Sequence, residues 1–306
     1  MKAVVYQKYG PPDVLKLTEL EKPRPKDNEI LIKIHAATVT SGDVRLRSSD
    51  FPPLFWLPAR IIFGLFKPNK KILGHELAGT VEEIGKNVTK FKVGDEVFGT
   101  STMLKTGSYA EYICLPQEWK NGVVAIKPKN MSFQEAAALP VGAMTAMYLL
   151  KKADLKQGQQ VMVYGASGSV GSYAVQLANQ KGASVTGVCS GSNVEMVKAL
   201  GAKKVIDYKM EDYSNCGGKF DIVFDAVCKT SKSSAKKILA SEGKFVSVKM
   251  LTKEEDENLN QIKSLAESGE LKPFIDKTFK LEEIKLAHAY VDLGRKRGNV
   301  VIEVPK

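Results

Sequence analysis

The 306-residue chain predicts an α/β fold in two parts, a mainly β domain and a doubly wound parallel-sheet domain. Three observations lead there. The first 116 residues carry short alternating or β-rich runs, such as 29–34 and 77–84, punctuated by glycine and proline. From Gln159 onward, short apolar strands alternate with segments whose apolar residues lie three and four apart. The final stretch, 299–304, is strand-like again. The chain is also longer than a single hydrophobic core usually supports.

In the second part, strands are predicted at 161–164, 184–188, 205–206, 220–225 and 244–248, with helices between them at 168–180, 194–200 and 231–240. Such a βαβαβ series makes the strands parallel, with helices on both faces. After Lys249, residues 252–268 read as an amphipathic helix, and a further helix around 281–293 precedes the terminal strand. The return to β character makes the first domain discontinuous. It takes residues 1–120 and 266–306, and the nucleotide domain takes 121–265.

Hydrophobic residues make up 43% and charged residues 26%, which fits a folded globular protein and excludes a disordered chain. The net charge of +11 comes from lysines scattered through every segment. That distribution reads as a solvated basic surface, and no nucleic-acid partner is expected. Cys114, Cys189, Cys216 and Cys228 are widely spaced and no secretory signal begins the chain, so reduced thiols in a cytoplasmic protein are expected. The most apolar early stretch, 51–66, is interrupted by Pro52, Pro53, Pro58 and Arg60 and is too short for a membrane span. Its aromatic residues Phe51, Phe55, Trp56 and Phe63 suit a lid over an apolar substrate and ordinary core packing equally.

Residues 161–171 read VMVYGASGSVG, which places Gly165, Gly168 and Gly171 between a strand and a helix start. In that context glycines allow a tight turn, a close approach of pyrophosphate to the backbone, and close helix-to-strand packing. The helix N-terminus adds unpaired N–H groups and a favourable dipole for phosphate. Ala166 departs from the full Gly-x-Gly-x-x-Gly pattern. Readers of NAD carry an acid at the end of the second strand, roughly 20 residues on. Here that strand runs into Ser190, Gly191 and Ser192, with no carboxylate until Glu195. Serines accommodate a 2′-phosphate without repelling it, so NADPH is the expected cofactor.

The segments MKAVVYQKYGPPDVLKL, GHELAGTVEEIGKNVTKFKVGDEVFG, GSYAEY, LPVGAMTA, GASGSVG, GAKKVIDY and FDAV follow one another in order along the chain. In this the sequence resembles the quinone oxidoreductases and alkenal or enone reductases of the medium-chain dehydrogenase/reductase superfamily. The resemblance implies a GroES-like β domain, a Rossmann domain, a cofactor in the cleft between them, and hydride transfer to quinones, enones or other activated double bonds. It implies Thr145, Val246 and Ser247 near the nicotinamide and Ser167, Gly168, Ser169, Val170 and Gly171 around the pyrophosphate. Ser190 and Tyr208 would lie toward the adenosine, Ala226 and Val227 beside the ribose, and Arg297, Gly298 and Asn299 over the cofactor. After Lys249 the chain lacks the extra sheet strands of longer relatives, which leaves a homodimer possible but open.

Gly74-His75-Glu76 matches a motif that serves zinc in related alcohol dehydrogenases, but Thr40 stands where an early cysteine ligand would be, and residues 140–142 hold no cysteine. A catalytic zinc needs about three protein ligands, so no metal is expected. Thr40, Ser41 and Asp43 form the candidate substrate-facing segment, with Asp43 suited to a structural acceptor role. The expected partner is a small apolar carbonyl or quinone substrate. A zinc-dependent alcohol dehydrogenase and a non-catalytic NADPH-binding regulatory protein stand as the alternatives.

Overall fold

The structure, a computed structural model, describes residues 1–305 apart from the side chains of Leu54 and Phe55. Two units separate within it. Residues 1–140, 255–260 and 275 to the C-terminus form one, and residues 141–254 and 261–274 form the other.

The first unit begins with an antiparallel pair, β1 (Lys2–Val5) and β2 (Lys16–Glu19). β3 (Glu29–Thr38) follows, then two helices, α1 (Ser41–Ser48) and α2 (Pro53–Phe63). Next come β4 (Glu76–Ile84), β5 (Glu96–Thr100), β6 (Tyr112–Pro116) and β7 (Val124–Ile126), and then the short α3 (Phe133–Ala137). β3 buries Ile30, Leu31, Ile32, Ile34, Ala36 and Ala37, as a central strand covered on both faces does. Residues 121–140 belong with this unit because β7 pairs with β5 and Ser132 starts α3 through a capping box with Glu135.

The second unit runs α4 (Pro140–Lys152), β8 (Gln160–Tyr164), α5 (Ser169–Gln180), β9 (Ser184–Cys189), α6 (Val194–Ala199), β10 (Lys204–Asp207) and β11 (Phe220–Asp225). It continues with α7 (Lys232–Ala235), β12 (Leu239–Ser247) and the larger part of α8 (Asp256–Glu267), whose residues up to Asn260 belong to the first unit. The strands form one five-stranded sheet in the order β10-β9-β8-β11-β12 with every pairing parallel. This is the Rossmann-type order, reversing direction between β8 and β11. Met162, Val188, Ile206, Val223, Ala235 and Ile238 form part of its core.

The predicted helix at 231–240 is shorter than expected, because α7 stops at Ala235 and β12 already begins at Leu239. Leu239 pairs with Phe220, and a register shift then carries the strand on to pair Lys244 with Ile222. The backbone at Gly243 passes so close that a Cβ there would lie 2.8 Å from the Phe220 carbonyl oxygen. The helix predicted at 252–268 is observed as α8, which starts later, at Asp256.

The chain then returns to the first unit through β13 (Ile275–Lys280), α9 (Ile284–Asp292) and β14 (Asn299–Glu303). The large sheet of that unit has the order β13-β14-β3-β4-β5-β7. Along one edge of β3, residues Glu29 to Lys33 pair with β6 and residues Ala36 to Thr38 pair with β14. Val4, Leu15, Ile32, Leu77, Tyr109 and Ile302 lie in its core.

The early apolar stretch folds as α2. Phe63 is half-buried and stacks on Phe51, with ring centroids 6.0 Å apart, while Trp56 stays 43% exposed. Packing therefore takes part of the segment and leaves part in the open, and the side chain of Phe55 lies outside the described residues. Among the described residues no helix is long and apolar enough to cross a membrane.

Candidate functional site

Every loop that the sequence singles out in the second unit leaves the sheet at the carboxyl end of a strand. Residues 165–171 follow β8, Ser190 follows β9, Tyr208 follows β10, and Ala226 and Val227 follow β11, while Val246 and Ser247 finish β12. Open parallel sheets bind ligands at this edge, beside the point where the strand order reverses. Thr145 lies half-buried within α4.

The glycine loop crosses that reversal. Gly165 has φ +79°, and a Cβ on it would lie 2.5 Å from Val227, so the turn and the neighbouring loop fit only without a side chain. A Cβ on Gly171 would meet the Gly165 carbonyl oxygen at 2.1 Å, which lets α5 start directly against the turn. Gly168, in extended conformation, is the N-cap of α5 and brings no side-chain cap. By contrast, α1 and α3 close their N-termini with complete capping boxes, Thr40 with Asp43 and Ser132 with Glu135. A helix start that its own chain leaves uncapped, flanked by glycine, is suited to a phosphate.

Two residues missed by sequence reasoning set the shape of the neighbouring loops. Asn193 is buried and its Nδ2 donates to Ser167 Oγ and Ser190 Oγ, each at 3.1 Å, so it ties the glycine loop to the serine loop. Its Oδ1 is buried with no partner, an acceptor left over in the cradle. Asp225, fully buried, accepts from the Val227 and Lys229 amides at 3.2 Å and from Ser247 Oγ at 3.1 Å. It thereby fixes the loop carrying Ala226 and Val227 to the end of β12. A polar residue closing an apolar strand, as in FDAV, was the available signal for Asp225; Asn193 gave none.

The serine loop is also less free of acid than its own sequence suggests. β10 brings Asp207 alongside, so a Cβ on Gly191 would lie 2.5 Å from Asp207 Oδ2, while Asp207 Oδ1 accepts from the Lys209 amide. Ser190 is half-buried with its hydroxyl 3.4 Å from that of Ser192, and Tyr208 is 49% exposed. The side-chain groups that the loop itself offers are the Ser190 and Ser192 hydroxyls.

In the first unit, Thr40, Ser41 and Asp43 open α1. Asp43 is fully buried and accepts four hydrogen bonds: from Thr40 N (2.9 Å), Thr40 Oγ1 (2.6 Å), Gly74 N (3.0 Å) and His75 Nδ1 (2.7 Å). Burial raises its pKa, but the His75 charge and the bonds from His75 and Thr40 outweigh that and hold the carboxyl well below the usual carboxylate range. Asp43 therefore has no surface to offer a substrate and organises the segment instead. Thr40 is half-buried with its hydroxyl committed to the cap, and Ser41 is exposed.

The same geometry tests a zinc site. His75 is held through Nδ1 by Asp43, Thr40 stands in the place of a cysteine ligand, and Glu76 is buried accepting from Thr38 Oγ1. Among the described residues no three His, Cys, Asp or Glu side chains gather as a set that could hold an ion. One histidine with one free nitrogen does not meet the three-ligand requirement of a catalytic zinc, so the residues present do not fit that metal.

The third predicted segment, Arg297 to Asn299, is braced from within the first unit. Asp276 accepts from the Arg297 amide (2.9 Å), Arg297 Nε (3.0 Å) and Tyr290 Oη (2.6 Å). Lys296 Nζ donates to the Gly298 carbonyl at 2.6 Å, and burial pushes its pKa down to about 8. Gly298 and Asn299 are buried.

Known proteins are similar to this chain along nearly its whole length. Residues 26–128 match the alcohol dehydrogenase GroES-like domain family and residues 169–272 the zinc-binding dehydrogenase family. A 2-methylene-furan-3-one reductase of Solanum lycopersicum is 35% identical over 99% of this chain and 79% of its own. The NADPH-dependent alkenal/one oxidoreductase, chloroplastic, of Arabidopsis thaliana is 31% identical over the same shares. The solved quinone oxidoreductase from Coxiella burnetii superposes with a TM-score of 0.85 at 29% identity, covering 100% of this chain and 99% of that one. The chain belongs to the medium-chain dehydrogenase/reductase superfamily, with quinone oxidoreductases and alkenal/one oxidoreductases among its relatives.

Proposed function

We propose that the protein is an NADPH-dependent oxidoreductase that passes hydride to quinones, enones, alkenals or similar activated acceptors without a metal ion. The observation that carries this reading is the uncapped, glycine-flanked start of α5 at the reversal point of a parallel sheet, with Asn193 and Asp225 fixing the loops on either side. When bound, the dinucleotide supplies a hydride from its nicotinamide ring.

The chain's own residues hold and orient. Backbone amides from Ser169 to Gly171 receive the pyrophosphate, Ser167 and Ser190 are held in place by Asn193, and Ala226 and Val227 are positioned for the ribose by Asp225. Thr145, Val246 and Ser247 are assigned to the nicotinamide, and Arg297, Gly298 and Asn299 to the braced loop that completes cofactor binding. Ser41, exposed on the first turn of α1, is the hydroxyl of its segment available to a substrate oxygen that gains charge. An enone or quinone spreads that charge by delocalisation, so positioning and water exclusion suffice in place of a Lewis acid. A small apolar carbonyl or quinone is the substrate class.

Oxidation of NADPH and NADH by purified, metal-analysed protein against a quinone, an enone, an alkenal and a simple aldehyde tests this. The expected result is NADPH-preferring reduction of the activated acceptors, unchanged by chelator. Zinc-dependent aldehyde reduction would overturn it in favour of an alcohol dehydrogenase, and cofactor binding without turnover would overturn it in favour of a regulatory protein.

A further inference from the structure

We propose that the outer face of α2 and the turn after it form a docking surface for an anionic lipid membrane. The apolar side chains there are unusually open. Leu57 is 54% exposed, Ile61 66%, Ile62 55% and Phe66 89%. Leu57 and Ile61 lie one helical turn apart on one face, and Phe66 follows three residues past the helix end. Single exposed apolar residues are ordinary, but four on one short element and its turn mark an interaction surface.

The exposure belongs to an anchored element. On its inner side Phe63 stacks on Phe51, and Tyr9 Oη donates to the Phe63 and Gly64 carbonyls at 3.0 and 2.8 Å. The Arg60 guanidinium lies 4.0 Å over the Tyr9 ring. Gly64 ends the helix at φ +121°, where a Cβ would lie 2.0 Å from the Lys67 carbonyl oxygen, and this turn presents Leu65 and Phe66 outward. The protein thus holds these residues in water.

Charge identifies the occupant. Between Asp50 and Glu76 the sequence contains no acidic residue, while it contains Arg60, Lys67, Lys70 and Lys71. Lys67 and Lys71 are exposed and follow the apolar group closely in the chain. A second copy of the chain would bring the same cations against themselves, so self-pairing is opposed by like charge. An anionic bilayer surface satisfies both halves of the pattern, with aliphatic side chains entering the acyl boundary and lysines meeting headgroups. The eleven-residue helix spans about 16 Å at 1.5 Å per residue, which suits lying in the interface plane and not crossing it. This inference stands independently of which acceptor the enzyme reduces.

Flotation of the full-length protein with phosphatidylcholine vesicles, with and without phosphatidylserine, tests it. The wild type is expected to float with the phosphatidylserine vesicles at low salt, much less at high salt, and little with phosphatidylcholine alone. The double variant I61E/F66E is expected to lower partitioning at least about tenfold. K67E/K71E is expected to lower it selectively on anionic vesicles. Both variants should keep the wild-type melting temperature and turnover with a water-soluble quinone, which separates lost docking from lost folding and from a lid role. Absence of wild-type binding to any vesicle, or I61E/F66E floating like the wild type, would overturn the proposal. So would a wild-type dimer in sedimentation that I61E/F66E converts to monomer without any vesicle binding, since a second copy would then cover the face.

Discussion

Asp43 is the polar centre of the first unit's opening segment, with one carboxylate serving a helix cap, a loop amide and a histidine. Replacing it with alanine leaves those donors without their acceptor, and a buried donor left unsatisfied costs about 1–3 kcal/mol. Asp43→Ala is therefore expected to lower unfolding stability by that amount in urea titration at neutral pH, with Asp43→Asn costing less because its oxygen still accepts. The role could be only half read in the sequence. Thr40-Ser41-Gly42-Asp43 shows the cap spacing, but Gly74 and His75 are 31 and 32 positions away and reach the carboxylate only through the fold.

His288 gives the fold a pH limit. It is fully buried, its Nδ1 is 3.3 Å from Arg47 Nη1, its Nε2 has no hydrogen-bond partner, and its ring meets Tyr109 edge-on. Burial, helped by Arg47 and opposed by Asp43, pushes its pKa from 6.5 down to about 3. Between those values the unfolded chain binds a proton that the folded chain refuses, so this residue's contribution to stability falls as pH drops from about 6.5 toward about 3. His288→Gln is expected to flatten that acid decline, measured as the difference in unfolding free energy between neutral and mildly acidic buffer. An unchanged slope would place the decline elsewhere. Nothing local in the sequence marks His288, because Arg47 comes beside it only through the fold.

At the scale of elements, the start of α5 supports the proposed function. α1 and α3 spend side chains on their own N-termini, whereas α5 begins at a bare glycine held against the preceding turn. Gly171→Ala puts a methyl group 2.1 Å from a backbone oxygen, so α5 must move away from the turn. The expected outcome is NADPH affinity weakened at least about tenfold, equivalent to about 1.4 kcal/mol, together with a lower melting temperature. The strand–loop–helix motif was legible because buried parallel strands such as VMVY are continuous apolar runs between turn residues. α7 was not. Its sequence SKSSAKKILA continues smoothly into β12, and only the pairing of Leu239 with Phe220 decides where helix stops.

For the whole molecule, the βαβαβ rhythm and the returning β character were visible as composition and periodicity. The exact partition was not, because residues 121–140 carry no signal for the strand β7 that ties them to the first unit. The surface was the least legible part. Lysines scattered in sequence gave no patch, yet the acid-free stretch from Phe51 to His75 gathers on one helix and its turn.

The split course of the first unit also dictates an order of assembly. The last three residues along one edge of β3, Ala36 to Thr38, find their partner only in β14. During synthesis that strand leaves the ribosome only after the entire five-stranded sheet has been made from the intervening residues. The nucleotide-binding part, apart from a short later segment, is continuous in the chain and closes on local contacts, so it can fold first. The older residues of the nascent chain wait with an unpaired strand edge, the kind of surface that invites mispairing. A truncation of even the last eight residues would keep the nucleotide fold and leave that edge permanently open.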